Sequence, residues 1–368
     1  MPQYQQGGNK EKDMKNIIVG HEHILDEHCV CPKFIGSKFI QRLVNKHTLP
    51  FVLLLDNLMP WTDSDSLSRY ADFIRNENKT QSENFKELKS TYPEGSEYVI
   101  LTVDMRGMGA GAPAKSFESQ LLEVIALKNA GEKIKLFYHL DPTVKGSIEL
   151  MLEYAPYIDG LKVYTLMGHY PTHSRLMEAY RWCENKGIPV VFHTSPGSPV
   201  HFKGSRKELN RRLELGRRFP LLKQSKRRPS KSDLCANFTN PLYYEYLLKE
   251  FPGVNFDFAH LAGEAELRKH MKGETSMTSL LLALMREYPN AYGDISYTFY
   301  DRDLQLQLLE LLDDEKLRPK LLYGTDFYMN KTVCTTQQAF YGKLISIIGP
   351  QAFQEIAITN PAKFHKHV

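Results

Sequence analysis

Residues 117–166 read FESQLLEVIALKNAGEKIKLFYHLDPTVKGSIELMLEYAPYIDGLKVYTL, and this stretch decides the fold. FESQLLEVIALKNAG spaces its apolar residues along one helix face, IKLFYHL is a short apolar run of strand type, IELMLEYAPYI returns to helical spacing, and GLKVYTL is a strand again. Such alternation lays parallel strands side by side with helices packed over them. The rhythm continues downstream through helix SRLMEAYRWCENKG, strand IPVVFH, helix NPLYYEYLLKEFPG, strand VNFDFAH, a helix around TSLLLALMREYPN, strand AYGDIS, helix DLQLQLLELLDDE and strand KLLYGTD. Upstream, NIIVG runs onto His21 and YVILTV runs onto Asp104. Eight strands ending near His21, Asp104, His139, Lys162, His193, His260, Ser296 and Asp326 predict an α/β fold, a closed (β/α)8 TIM barrel rather than an open doubly wound sheet.

Around this core the sequence predicts a flexible arm over residues 1–15, with residues 16–368 as one barrel domain. A helical insertion over about residues 37–96 separates strands 1 and 2, and a basic insertion over about residues 200–236 follows strand 5. The Gly-rich turn GMGAGAP after strand 2 lacks the spacing and the later acid of a dinucleotide-binding loop.

Composition narrows the class. With 42% hydrophobic and 24% charged residues in 368, the chain has ample material for a core, and disordered or collagen-like classes are excluded. No apolar run is long enough to cross a bilayer and the first residues are polar, so the expected compartment is the cytoplasm with no membrane partner. Five scattered cysteines make a poor disulfide framework; Cys29 and Cys31 lack a second pair and read as ordinary thiols. The net charge of +4 is uneven: residues 203–233 carry twelve Lys or Arg against three acids, an excess of nine, so the remainder is acidic. This basic stretch reads as a mobile lid or docking loop, separable from the chemistry, whose few apolar residues offer little to pack on and whose charge suits an anionic or large substrate.

The carboxyl ends of barrel strands converge on one face, and here they carry metal-ligand side chains. His21 and His23 lie two apart, so both lean to the same side; His193 closes IPVVFH, His260 closes VNFDFAH and Asp326 closes KLLYGTD. One histidine at a strand end is ordinarily a hydrogen-bonded structural residue. Four of them with an aspartate point to a divalent ion, and imidazoles plus a carboxylate suit zinc better than magnesium or calcium.

On the motifs GHEHIL, GLKVYTLMGHYPTHSRLMEAYRWCENKGIPVVFHTSPGS, FPGVNFDFAHLAG, AYGDIS, YGTDFYMN and ITNPAKFH, the chain resembles the amidohydrolase superfamily, in its amidohydrolase-related (amidohydrolase 2) branch. The resemblance spans nearly the whole barrel. It implies that His21, His23, His193 and Asp326 bind metal and that His260 binds a second ion or assists catalysis together with Asp326. It also implies two roles for Lys162: a carboxylated bridge between two ions, or a lysine that orders the loop or contacts substrate. The chain departs from the family pattern at Val19, where an aspartate is usual, and in the length and charge of the insertion after His193.

The expected activity is hydrolysis of an amide, lactone or other ester of a small molecule by a metal-activated water, with one or two zinc ions. The resemblance also implies a rival, non-oxidative decarboxylation of a small carboxylic acid, for which Arg106 is the candidate substrate clamp. A second rival, a nucleic-acid phosphoesterase or binding protein, rests on the basic stretch alone, which has only Phe202 and Phe219 for base stacking. Nothing in the sequence fixes an oligomeric state, and a homo-oligomer is compatible with it.

Overall fold

The computed structural model describes residues 16–32, 79–222, 227–327 and 337–366. The N-terminal arm, the part of the first insertion before residue 79, and Cys334 lie outside them. Eight strands form one sheet: β1 (Ile18–Glu22), β2 (Glu97–Leu101), β3 (Ile134–His139), β4 (Ile158–Val163), β5 (Val190–His193), β6 (Phe256–Ala259), β7 (Ala291–Asp294) and β8 (Leu321–Leu322). Each pairs in parallel with the next in chain order, with helices between them. The ends meet at a parallel bridge between Gly20 and Gly324, where Gly20 N–H donates to the Tyr323 carbonyl at 3.0 Å. Glycine is required at this seam, because a Cβ on Gly20 would lie 2.7 Å from the Tyr323 oxygen. The expected TIM barrel is therefore the observed fold.

The strands are buried on both faces, which is why they read as unbroken apolar runs. One cluster, Val99, Leu101, Phe137, Val191, Ala259, Tyr292 and Leu322 with Phe364, draws on strands around the whole ring, so it fills the barrel interior. A second, larger cluster lies between the strands and the surrounding helices; helix Ser174–Lys186, for example, contributes Leu176, Tyr180 and Cys183. Strand residues alternate in direction, so two positions beyond Phe137, Val191 and Tyr292 the same interior face carries His139, His193 and Asp294. An apolar floor thus supports a polar mouth.

Helix Gln81–Ser90 begins at a capping box between Thr80 and Glu83, in keeping with helical structure before β2. The basic stretch corrects the sequence reading. Its helix Arg206–Glu214 buries Leu209 and Leu213, which join Leu166, Tyr170, Phe202, Cys235, Phe238 and Tyr243 in a third core cluster. The Arg212 guanidinium lies 4.2 Å over the Phe202 ring and donates to the Met167 carbonyl at 3.1 Å. Glu208 pairs with Arg211 and Arg212, and Glu214 with Arg217. The described part of this stretch is packed structure, not a separable loop: Leu209 and Leu213 stand four apart on one helix face, and the charges around them hid that amphipathic spacing.

Among the described residues no helix is long and apolar enough to cross a membrane. Cys29 and Cys31 are buried and free, and burial pushes their thiols up to about 12 and about 11, as expected of inert structural cysteines.

Candidate active site

The mouth is built from irregular backbone. Pairing between β1 and β2 shifts register between Val19 and Glu22, and His21 adopts φ 58°. His260 (φ 63°) and Asp326 (φ 50°) are also left-handed, a region that side-chain-bearing residues seldom occupy. Such strain persists only where surrounding contacts impose it, and it concentrates at functional sites. Glu22 supplies one such contact: its buried carboxylate accepts from Thr325 N–H at 2.9 Å and Phe327 N–H at 3.0 Å, pinning the turn that carries Asp326.

All six residues expected to touch metal meet in this mouth. Ligand-type atoms of His21, His260 and Asp326 lie within 4.8 Å of one another. Lys162 Nζ is 3.2 Å from His21 Nε2, the His193 ring centroid is 4.9 Å from that of His260, and the His23 centroid is 5.6 Å from that of His21. Partners set the tautomers. His21 Nδ1–H donates to Asp294 Oδ2 at 2.6 Å, His23 Nδ1–H to the Leu101 carbonyl at 2.8 Å, and His260 Nδ1–H to the Ser296 carbonyl at 3.1 Å. These oxygens can only accept, so each ring keeps its proton on Nδ1 and a lone pair on Nε2. His193 is buried with neither ring nitrogen partnered, its face stacked 4.5 Å from the Tyr164 ring. Buried polar atoms of this kind call for a partner, and a cation would complete this set.

The electrostatics suit a cation. Burial lowers His21 to about 4 and His260 to about 3, and takes His23 and His193 well below the usual imidazole range. Neutral imidazoles with free lone pairs are what metal binding requires. Burial also lowers Lys162 to about 8, against the pull of Asp294, Asp257 and Asp326. It raises Asp326 to about 7, with Lys162 opposing and Asp294 adding. Burial would raise Asp294 too, but the attraction and hydrogen bond of His21 outweigh it and hold the carboxylate well below its usual range.

Several residues of the mouth escaped the sequence reading. Asp294, the last residue of β7, links two histidines: it accepts from His21 Nδ1 and, at 3.0 Å, from the His260 backbone N–H. It stands in the AYGDIS motif, but the strand was expected to end at Ser296. Glu22 was hidden between the two histidines, and Tyr164 follows Lys162 by the two residues that keep a side chain on the same face. Arg106 Nε and Nη2 both bind Asp104, at 2.9 and 2.6 Å, so much of its guanidinium is already engaged.

A family model described as Amidohydrolase matches residues 105–366. Among solved structures, an uncharacterized TIM-barrel protein from Bordetella bronchiseptica is 15% identical with a TM-score of 0.55, covering 95% of this chain and 98% of that one. A protein described as a probable 2-pyrone-4,6-dicarboxylic acid hydrolase from Acinetobacter baumannii, solved with citric acid bound, is 12% identical with a TM-score of 0.52, covering 95% and 99%. At these identities the likeness is one of fold. No curated protein sequence matches the chain.

Proposed function

Because the chain belongs to the amidohydrolase family, and is thus an enzyme of amidohydrolase type, we propose that it is a metal-dependent hydrolase acting on an amide, lactone or other ester of a small molecule. The observation that carries this reading is the set of buried imidazoles at one mouth with Asp326: three with their Nδ1 protons tied to the protein, and His193 with both nitrogens open. His21, His23, His193 and Asp326 would hold a divalent ion, with His260 sharing it or assisting. Imidazoles and one carboxylate favour zinc. When bound, such an ion polarises the attacked bond and lowers the pKa of water to about 7.

The protein's own groups do the rest. Asp326, standing with His21 and His260 at the mouth, is placed to take a proton from the attacking water and return it to the leaving group. Asp294 orients His21 and the backbone of His260. Lys162 Nζ lies beside His21 Nε2, where a carboxylated lysine could bridge two ions and an uncarboxylated one could contact substrate. The remaining face of Arg106 could meet a substrate anion. Residues 16–368 act as one barrel domain, working in the cytoplasm.

Elemental analysis of the purified protein, followed by a screen over lactones, amides and carboxylic acids, tests the proposal. We expect zinc at one ion per chain, or two if Lys162 is a bridge, and hydrolytic turnover. The double variant His21→Ala with His23→Ala should lose both metal and turnover while staying folded, since mouth residues serve function more than stability. Unchanged metal content in that variant would overturn the ligand assignment; carbon dioxide release without hydrolysis would replace hydrolase by decarboxylase.

A further inference from the structure

His139 ends β3, and its Cα is paired in register with Lys162. Paired residues of adjacent parallel strands point to the same side of the sheet, so His139 faces the mouth as Lys162 does. Its ring centroid is 5.7 Å from that of Tyr164, the residue that stacks on His193 and whose hydroxyl lies 3.5 Å from His23 Nε2. By position it is one more imidazole in the ring around the candidate metal centre.

Its chemistry is opposite to theirs. The backbone N–H of Asp104 donates to His139 Nδ1 at 2.7 Å. A backbone N–H can only donate, so Nδ1 carries the lone pair and the proton of the neutral ring sits on Nε2. With Nδ1 occupied as an acceptor the ring cannot carry a second proton, so it is held neutral. A metal needs the lone pair on an exposed nitrogen, and at Nε2 His139 presents a proton instead. His139 is wholly buried and Nε2 has no hydrogen-bond partner. Leaving a buried N–H unsatisfied is costly, and a bound acceptor would relieve that cost.

We propose that His139 is a substrate-binding residue of this mouth, presenting a fixed Nε2–H to an accepting oxygen, carboxylate or carbonyl, of the bound molecule, and that it is not a metal ligand. The proposal rests on the hydrolase reading only in calling that molecule the substrate. It gives β3 the task of orienting the molecule while β1, β5 and β8 serve the ion.

The test is NMR on protein carrying isotopically labelled histidine and loaded with NMR-active cadmium. His139 should appear as the Nε2–H tautomer without coupling to cadmium, while His21, His23 and His193 couple. A cadmium coupling at His139, or a proton on its Nδ1, overturns the proposal. Acetate and acetamide, titrated separately, should shift the His139 Nε2–H signal. His139→Phe should weaken binding about tenfold, and His139→Gln, which retains an N–H donor, should recover part of it with metal content unchanged in both. A shift with acetate alone assigns a carboxylate, with acetamide alone an amide carbonyl, and with both an oxygen of either kind. No shift with either probe, or undiminished binding by His139→Phe, overturns the role. Failure of the hydrolase reading looks different: a protein that takes up no cadmium or hydrolyses nothing still reports the His139 tautomer and its response to both probes.

Discussion

The floor and the mouth of this barrel are made by the same strands, two residues apart, and differ in nearly every physical respect. At the floor, Phe137, Val191, Tyr292 and Leu322 interlock as an apolar layer closed by Phe364. At the mouth, His139, His193 and Asp294 stand on the same interior face, and left-handed backbone appears at His21, His260 and Asp326. The apolar layer stabilises the fold. The polar layer costs stability through buried ionisable groups and strain, and that cost is tolerable because the layer beneath fixes the strands.

If the division of labour is real, the largest loss of stability follows from damage at the floor. Phe137 is fully buried, so Phe137→Ala should cost about 3–5 kcal/mol in urea denaturation while the protein that remains folded keeps its metal. Metal loss with little loss of stability would break the comparison. The packed basic stretch forms a second test. Leu209→Ala should cost about 2–5 kcal/mol, whereas the exposed Arg211→Ala should stay within about 0.5 kcal/mol. Equal small effects would return that stretch to the status of a separable loop.

The floor and the outline of the barrel were legible because periodicity reports burial directly: the strands are short, mostly apolar runs with a polar residue at or just beyond the end. The candidate ligands were legible because histidine and aspartate are conspicuous at such ends. What stayed hidden depends on partners distant in sequence. Asp294 gains its role from a hydrogen bond across 273 residues to His21, and His139 differs from the other imidazoles only because the Asp104 N–H occupies one of its nitrogens. The helix at residues 206–214 was obscured for another reason, since two leucines carry its burial amid a dense run of charge.

A smaller effect sharpens the account of the mouth. Asp294→Asn keeps the size of the side chain but removes the charge that holds the His21 Nδ1–H. Partners that orient a ligating histidine typically account for about 10–100-fold in metal affinity or activity, and a loss in that range is expected with the melting temperature little changed. Metal competition with a chelator measures it. An unchanged affinity would mean that the strained backbone alone positions His21.

The smallest expected effect concerns pH and lies away from the candidate ligands. His169 is 3% exposed, neither ring nitrogen has a hydrogen-bond partner, and burial, aided by nearby His173, lowers it to about 3. In the unfolded chain the same ring titrates near its ordinary value of about 6.5. Above that value neither state binds the proton, and His169 adds no pH dependence. As the pH falls below about 6.5, the unfolded chain takes up a proton that the folded protein refuses, so stability drops by about 1.4 kcal/mol per pH unit until the folded ring itself protonates near 3. His169→Leu removes this proton uptake and leaves every other histidine in place. The difference in unfolding free energy between wild type and variant should therefore shift by roughly 2 kcal/mol in the variant's favour between pH 6.5 and 5. Denaturation curves at both pH values measure it, and parallel acid limbs would show that protonated His169 finds a partner in the folded protein.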